Sequence, residues 1–381
     1  MPELDVIVVG AGPGGATAAL DLARVGANVA LVDGSFPREK ACGGGVTARA
    51  LALVAHDMPE VGSGRTIRSL KFETGGAAAE VGLPGEAALE VFSRETFDSA
   101  LLRCAIAAGA RHVDARVRAL ARDGQFWRAE LSNGRSLRAP WLLGADGAGG
   151  IVRRHVFRAF ERRHLSIAAG SYVDGADCHE IVIGFVDRPR GYLWSFPRPG
   201  HLAVGACAQA DEASTAELHA VTDRWLDGYA PAAGLPRRRY AWPIPSLNAK
   251  DLDRERPAGP GWMLVGDAAG LVDPITREGI YFAMRSGKVA AASLLGPEGS
   301  REYAAAIRDE IHAELRRAAA LRAGFFRPRF TRLLIQALNA SPAIRDVMAD
   351  LVAGRQPYRG LKRRLLRTWE LGLMFRMLRS S

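Results

Sequence analysis

Three aspartates stand where an apolar run ends beside glycine: Asp33 after Asn28 to Val32, Asp146 in GADG and Asp267 in GDAAG. A carboxylate at the end of a strand can accept hydrogen bonds from sugar hydroxyls, and glycine beside it lets a phosphate approach the backbone. The first of these turns is the most explicit. Leu4 to Gly10 is a β-branched run, GAGPGG follows, and an alanine-rich stretch continues from Ala16 to Val25, which reads as strand, tight turn and helix. Gly10 permits the turn, Gly12 opens the backbone to a pyrophosphate, Gly14 completes the cluster, and Gly15 lets the helix lie close on its sheet. The helix N-terminus then faces the phosphate charge. Asp33 can bond both hydroxyls of an adenosine ribose, and an acid there disfavours a 2′-phosphate. These residues predict a dinucleotide site and leave FAD and NAD both open.

Two later segments separate them. Trp141 to Arg154 reads WLLGADGAGGIVRR, and Gly261 onward reads GWMLVGDAAGLVDPITREGIYFAMRSGKVAA, each a strand entering a glycine–aspartate turn. Taken in order, GxGxxG, GADG and GDAAG…P…EGI resemble glutathione-reductase-type flavoproteins of the hydroxylase and prenyl-reductase branch, over residues 2 to about 295. That resemblance implies FAD, with Asp146 in the cofactor site and Asp267 at the ribityl chain. It implies a helix that starts near Gly279 and Ile280 and directs its positive end at the flavin pyrimidine edge. It also carries over Arg94, before a Phe-Asp pair, as an FAD contact, and Val117 as a backbone contact to adenine. No second GxGxxG and no CxxxxC occurs, so NAD(P)H or reduced ferredoxin is expected to serve as a transient electron donor.

FPREKACGGGVTARAL, residues 36 to 51, resembles the Cys-Gly-Gly-Gly segment of geranylgeranyl reductases. The resemblance implies that Cys42, Gly43 and Gly45 line the isoalloxazine pocket and that Cys42 is a candidate proton donor. Tyr192-Leu193-Trp194-Ser195-Phe196-Pro197 matches the YxWxFP motif of prenyl reductases, which implies substrate-binding roles for Tyr192, Trp194, Phe196 and Pro197. Period-two geometry puts Tyr192, Trp194 and Phe196 on one sheet face, where they floor an apolar tunnel or pack a helix. Related halogenases carry WxWxIP, which counts against halogenation. The chain departs from the family pattern at Arg277, where glycine is usual, and at Gly150, where serine is common. The implied activity is FAD-dependent saturation of carbon–carbon double bonds in a prenyl chain, with hydride from flavin N5. The alternatives are a flavin-dependent monooxygenase or halogenase-like enzyme of secondary metabolism, and a flavin-binding scaffold without turnover.

Positioning these groups requires an α/β architecture: a Rossmann-like FAD-binding domain, an inserted antiparallel β-sheet substrate domain and a C-terminal helical region. The expected boundaries are 1–65, 94–155 and 258–300 for the cofactor domain, 66–93 and 156–257 for the substrate layer, and 301–381 for the helices. Proline should separate those helices near Arg327-Pro328 and Ser341-Pro342.

At 381 residues, 48% hydrophobic and 24% charged, the chain is long enough for two interleaved cores. Cys42, Cys104, Cys178 and Cys207 form no CxxC pair, and the chain opens on a strand, so a reduced cytoplasmic protein is expected. None of the eight histidines falls into a metal-ligand spacing, and no metal is expected. No apolar run reaches the roughly 20 residues of a membrane span. The formal charge is +10, and eight Lys and Arg crowd between Arg355 and Arg379 against Glu370 alone. Leu361, Leu365, Leu366, Trp369, Leu373 and Met377 interleave with them at near-helical spacing. This pattern suits either peripheral membrane contact or a docked helix, and no nucleic-acid module accompanies it. The expected partner is an apolar, isoprenoid small molecule or lipid; the sequence is silent on oligomeric state.

Overall fold

The computed structural model describes residues 3–58, 64–85, 88–296 and 298–368. Val6–Val9 and Val29–Val32 are buried along their whole length, as continuous apolar runs must be when both faces of a sheet are covered. They are central strands of a six-stranded sheet, ordered Ala258–Gly259, Trp262–Leu264, Trp141–Gly144, Val6–Val9, Val29–Val32, Arg111–Val113. All pairs are parallel except the outermost hairpin. Register is what assembles the site. Val9 stands opposite Val32 and Gly144, and Gly144 stands opposite Leu264, so these four strands end in one row. Gly10, Asp33, Asp146 and Asp267 all emerge from that row, at the carboxyl edge where open α/β sheets bind ligands.

Pro13–Arg24 begins with proline in its first turn, where the missing N–H costs nothing. It crosses Ile280–Leu294 at glycine: a Cβ on Gly287 would overlap the Gly14 carbonyl, and one on Gly14 would sit 3.0 Å from the Ala283 carbonyl. Gly14 therefore serves helix-on-helix packing as well as the phosphate turn. A three-stranded antiparallel meander, Val117–Asp123, Phe126–Leu131 and Ser136–Ala139, contributes Leu120, Trp127 and Ala129 to the same core.

The second large sheet has seven strands, ordered Arg237–Pro245, Leu165–Asp174, His201–Gln209, Gly191–Arg198, Ile181–Val186, Ser69–Thr74, Ala77–Gly82. The sequence predicts an antiparallel sheet; one pair, Ser69–Thr74 with Ile181–Val186, is parallel. More than a hundred residues, including a passage through the cofactor layer, separate these strands, so no hairpin fixes their relative direction. Pro328–Ala340 and Pro342–Val352 pack on this sheet's edge, each opening with proline, and Ser341 caps the latter through its hydroxyl (Ile344 N, 3.3 Å). The basic tail is described only through the short helix Leu361–Leu366 and on to residue 368; Trp369, Leu373, Met377 and the last two arginines lie outside the described residues. Among the described residues no helix is long and apolar enough to cross a membrane.

Gly287→Val places a branched side chain where two helix backbones touch. It should cost about 1 to 3 kcal/mol by overpacking, read as a lower urea midpoint with an unchanged slope.

Candidate functional site

The carboxyl edge of the six-stranded sheet opens into an elongated cavity lined by Gly10, Gly12, Gly14, Asp33, Val117 and Asp146. Gly10 has φ +98°, and a Cβ there would strike the Ala145 carbonyl, so only glycine makes this turn. Gly15 does not line the cavity; its missing Cβ makes room for the Gly10 carbonyl. Above Gly12 the nearest group is the Arg38 guanidinium, 3.3 Å from where a Cβ would lie, which sets a cation over the glycine turn. Asp33 braces the loop: one oxygen accepts from Ala11 N (2.8 Å), the other from Ser35 N (3.0 Å) and Ser35 Oγ (2.5 Å).

Asp146 accepts from Val152 N (3.0 Å) through Oδ2, capping the helix Ile151–Val156, while its buried Oδ1 has no partner. Burial pushes this carboxyl up to about 6, against the hydrogen bonds it accepts from backbone N–H groups. A Cβ at residue 150 would overlap the carboxylate in this orientation, so glycine there leaves it room.

Midway along the cavity, Lys40 Nζ meets Asp267 Oδ2 at 2.8 Å, with Trp242 5.8 Å on its other side. Burial alone would raise the Asp267 carboxyl; the Lys40 ammonium, with Arg94 and Arg38 behind it, holds it below the usual carboxylate range. Arg94 is buried, not a surface ion pair, and grips Asp98 with two hydrogen bonds of 2.8 and 2.7 Å. Burial works against its charge, and Asp98 together with the neighbouring Cys42 more than offsets this. Glu39 accepts from Arg94 N (2.9 Å) and is bridged by Arg198, which also donates to the Cys42 carbonyl (2.6 Å) and the Gly43 carbonyl (3.1 Å). Sequence reasoning missed Lys40, Glu39, Asp98 and Arg198. The one local signal was Glu39-Lys40, immediately before the glycine triplet.

The cavity continues, through residues shared with the first part (Pro13, Lys40, Arg94, Trp242, Asp267 and Ala283), into an apolar chamber. Tyr192, Trp194 and Phe196 line it from one face of Gly191–Arg198, as period-two spacing predicts, and Cys42, Gly43, Gly45, Gly279 and Ile280 line it from the cofactor side. Pro197 does not line it: one residue beyond Phe196, it belongs to the opposite face. A Cβ on Gly43 or Gly45 would come within 2.9 Å of the Phe196 ring, so the two sequence motifs pack directly on one another. The chamber's far wall was not foreseen in detail. Phe325 and Phe326, a doublet just before the Arg327-Pro328 break, join Met348 and Leu351 there, and the Phe326 ring lies parallel to Tyr192 at 6.0 Å. Among the described residues no group of His, Cys, Asp and Glu is placed to hold a metal.

A diphosphate-linked dinucleotide fits the polar half. It presents an open glycine turn at a helix N-terminus, a cation above that turn, and the buried Asp146 oxygen with no partner. Residues 3–174 match the family model described as FAD binding domain. The chain is 31% identical over 330 residues to a menaquinone reductase of Mycolicibacterium smegmatis, covering 79% of this chain and 78% of that protein. It is 31% identical over 307 residues to digeranylgeranylglycerophospholipid reductase 1 of Methanopyrus kandleri, covering 76% and 79%. Its fold superposes with a TM-score of 0.78 on a geranylgeranyl bacteriochlorophyll reductase-like protein from Thermoplasma acidophilum, at 22% identity and over 96% of this chain and 98% of that one. The fold and site thus define an FAD-dependent oxidoreductase. Within that class, the chain belongs to the geranylgeranyl reductase family.

Lys40→Met should destabilise the protein by roughly 3 kcal/mol, because it leaves a buried carboxylate without its nearest cation. In the wild type the lowered Asp267 contributes stability above the carboxylate's unfolded value and loses it only as pH falls through the lower folded value. In the variant burial dominates, so the carboxyl rises and its ionisation becomes a penalty. The deficit in melting temperature relative to wild type should be largest near pH 7 and shrink towards pH 4.5; a pH-independent deficit would contradict this assignment.

Proposed function

We propose that this protein saturates carbon–carbon double bonds of a prenyl chain. The observation that carries the reading is the apolar aromatic chamber opening directly onto Cys42, Asp267 and the N-terminus of Ile280–Leu294. In this reading Gly12 and the start of Pro13–Arg24 hold the FAD pyrophosphate, Asp33 a ribose, and the Val117 backbone the adenine. Asp146, Arg94, Asp267, Gly43 and Gly45 line the remainder, and the positive end of Ile280–Leu294 faces the flavin ring. When bound and reduced, FAD supplies hydride from N5, and NAD(P)H or reduced ferredoxin supplies its electrons.

The chain's own task is the harder half, since an unactivated alkene accepts hydride poorly. Tyr192, Trp194, Phe196, Phe325 and Phe326 keep water from the double bond and offer aromatic faces to positive charge developing on carbon. Cys42 lines the chamber and gives up the proton; Gly44 N, 3.3 Å from Sγ, holds the side chain in place. Burial raises the Tyr192 hydroxyl well above its ordinary value, and it donates to the Thr276 carbonyl (3.2 Å), so it serves as wall and not as acid.

Anaerobic incubation of dithionite-reduced holoprotein with a geranylgeranyl-bearing lipid should yield products heavier by two hydrogens per double bond reduced. Substrate-dependent oxygen consumption, with an oxygen atom appearing in the product, would instead establish the monooxygenase reading. Cys42→Ala should retain FAD and lose turnover by about 100-fold, with Cys42→Ser intermediate. Equal turnover in all three proteins would remove Cys42 from the chemistry.

A further inference from the structure

The short helix Leu361–Leu366 has two unlike sides. Leu361 and Leu365 turn inward, into a cluster with Ile275, Val347, Tyr358 and Leu351, and Leu351 also lines the apolar chamber. Tyr358 is buried and donates to Asp273 Oδ1 (3.2 Å), which ties the segment to the turn that leads to Arg277 and Glu278. The outward side is cationic. Arg359, Lys362, Arg363 and Arg367 are exposed, and so is Leu366, at 51%. No Asp or Glu occurs from Leu351 to Thr368, and among the described residues none of these four cations has an ion-pair partner; Arg364 turns back instead, to Asp350 (2.6 Å). Elsewhere such a run is balanced within the fold. Arg237, Arg238 and Arg239 stand consecutively on an edge strand, and Asp227, Asp174 and Asp223 each pair with one of them. A face of unbalanced like charge repels itself and is complementary to an extended anion.

The apolar member of the face decides which anion. A bilayer offers phosphates at its surface and hydrocarbon beneath them, so Leu366 can enter the apolar layer while the long basic side chains keep their heads among the phosphates. The sequence continues in the same pattern, with Trp369, Leu371, Leu373, Phe375 and Leu378 set among Arg376 and Arg379. We propose that the outward face of residues 359–367 docks the protein on an anionic lipid bilayer. The contact is peripheral, since no helix among the described residues is long and apolar enough to cross one. It lies behind the chamber wall to which Leu351 belongs, and so sets whatever apolar molecule the chamber takes beside the phase in which such molecules dissolve. The docking face does not rest on the prenyl reading above.

Co-sedimentation of the FAD-loaded protein with vesicles tests the face without any substrate. Vesicles of phosphatidylcholine mixed with an equal part of phosphatidylglycerol should carry the protein down, and phosphatidylcholine alone should not. Salt at about 0.5 M should release most of it. The double variant Lys362→Glu/Arg363→Glu should weaken partitioning about 100-fold and Leu366→Ser about 5-fold. Both should keep their FAD content and melting temperature, because these side chains face solvent. No sedimentation with the anionic vesicles, equal sedimentation with the neutral ones, or unchanged binding in either variant would overturn the proposal. Polyglutamate that binds the protein more tightly than the anionic vesicles do would assign the face to a soluble acidic partner and overturn it as well. Absence of vesicle binding by protein that still saturates a detergent-dispersed prenyl lipid overturns the docking face alone; vesicle binding without any saturation supports the face and counts against the prenyl reading.

Discussion

The cofactor layer and the aromatic floor are held together by a buried chain of charge. Arg198, on the aromatic strand, bridges Glu39; Glu39 takes the N-terminal N–H of the helix carrying Arg94; Arg94 closes on Asp98. Arg198, Arg94 and Asp98 are all but inaccessible to water. Arg198 with Glu39 and Arg94 with Asp98 pair charge for charge, and the backbone carbonyls of Cys42 and Gly43 take up the remaining donors of Arg198. Such a network adds little to stability over an apolar core, but the loss of one member leaves a buried charge short of a partner; Asp98 alone has a second cation nearby, Arg38 at 3.7 Å. What it supplies is direction. Apolar contact alone would let residues 39–45 slide over the floor, whereas the ion chain presses the glycine triplet onto the Phe196 ring and fixes Cys42 at the chamber wall.

How much of this was legible in the sequence follows from the range of each interaction. The three glycine–aspartate turns were readable because a strand, a turn and a helix N-terminus are local events, and the parallel register then brings them into one row without further instruction. The aromatic face of Gly191–Arg198 was readable for the same reason, alternation being a property of one strand, and that same alternation excludes Pro197. Lys40 with Asp267, Glu39 with Arg198 and Phe326 with Tyr192 were not, since each joins residues more than a hundred positions apart. The parallel pair between Ser69–Thr74 and Ile181–Val186 was missed because strand direction there is decided by a long excursion and not by a turn.

Polarity divides the continuous cavity into two regimes. Around the glycine turn, Arg38, Asp33 and Asp146 offer charge and unused hydrogen-bonding capacity, which suits a phosphate-linked nucleotide. Beyond Lys40 and Asp267 the lining becomes mainly aromatic and aliphatic, with Arg277 and Glu278 as its charged members, and the C-terminal helices seal it with Phe325, Phe326 and Leu351. The Lys40–Asp267 pair stands at the boundary with its charges balanced. Reacting groups on its far side therefore meet a medium of low dielectric, where fixed dipoles and aromatic faces act more strongly than in water. Fold similarity to flavoproteins of other chemistries is compatible with this, because the fold positions the ring and the chamber decides what reaches it.

The two departures from the family pattern show how a site can be retuned without altering that frame. Gly150 accommodates Asp146: the carboxylate turned to cap its helix occupies the space that a side chain at 150 would enter. Arg277 has the opposite logic, since nothing in the backbone demands it and its positive φ argues against any side chain at all. Its side chain meets Arg322 across the Ser246 hydroxyl, an approach of like charges that glycine at this position would not make. Strain and like-charge approach are both costs at this one position, and they persist because the packed surroundings of Ser246 hold the two side chains in place.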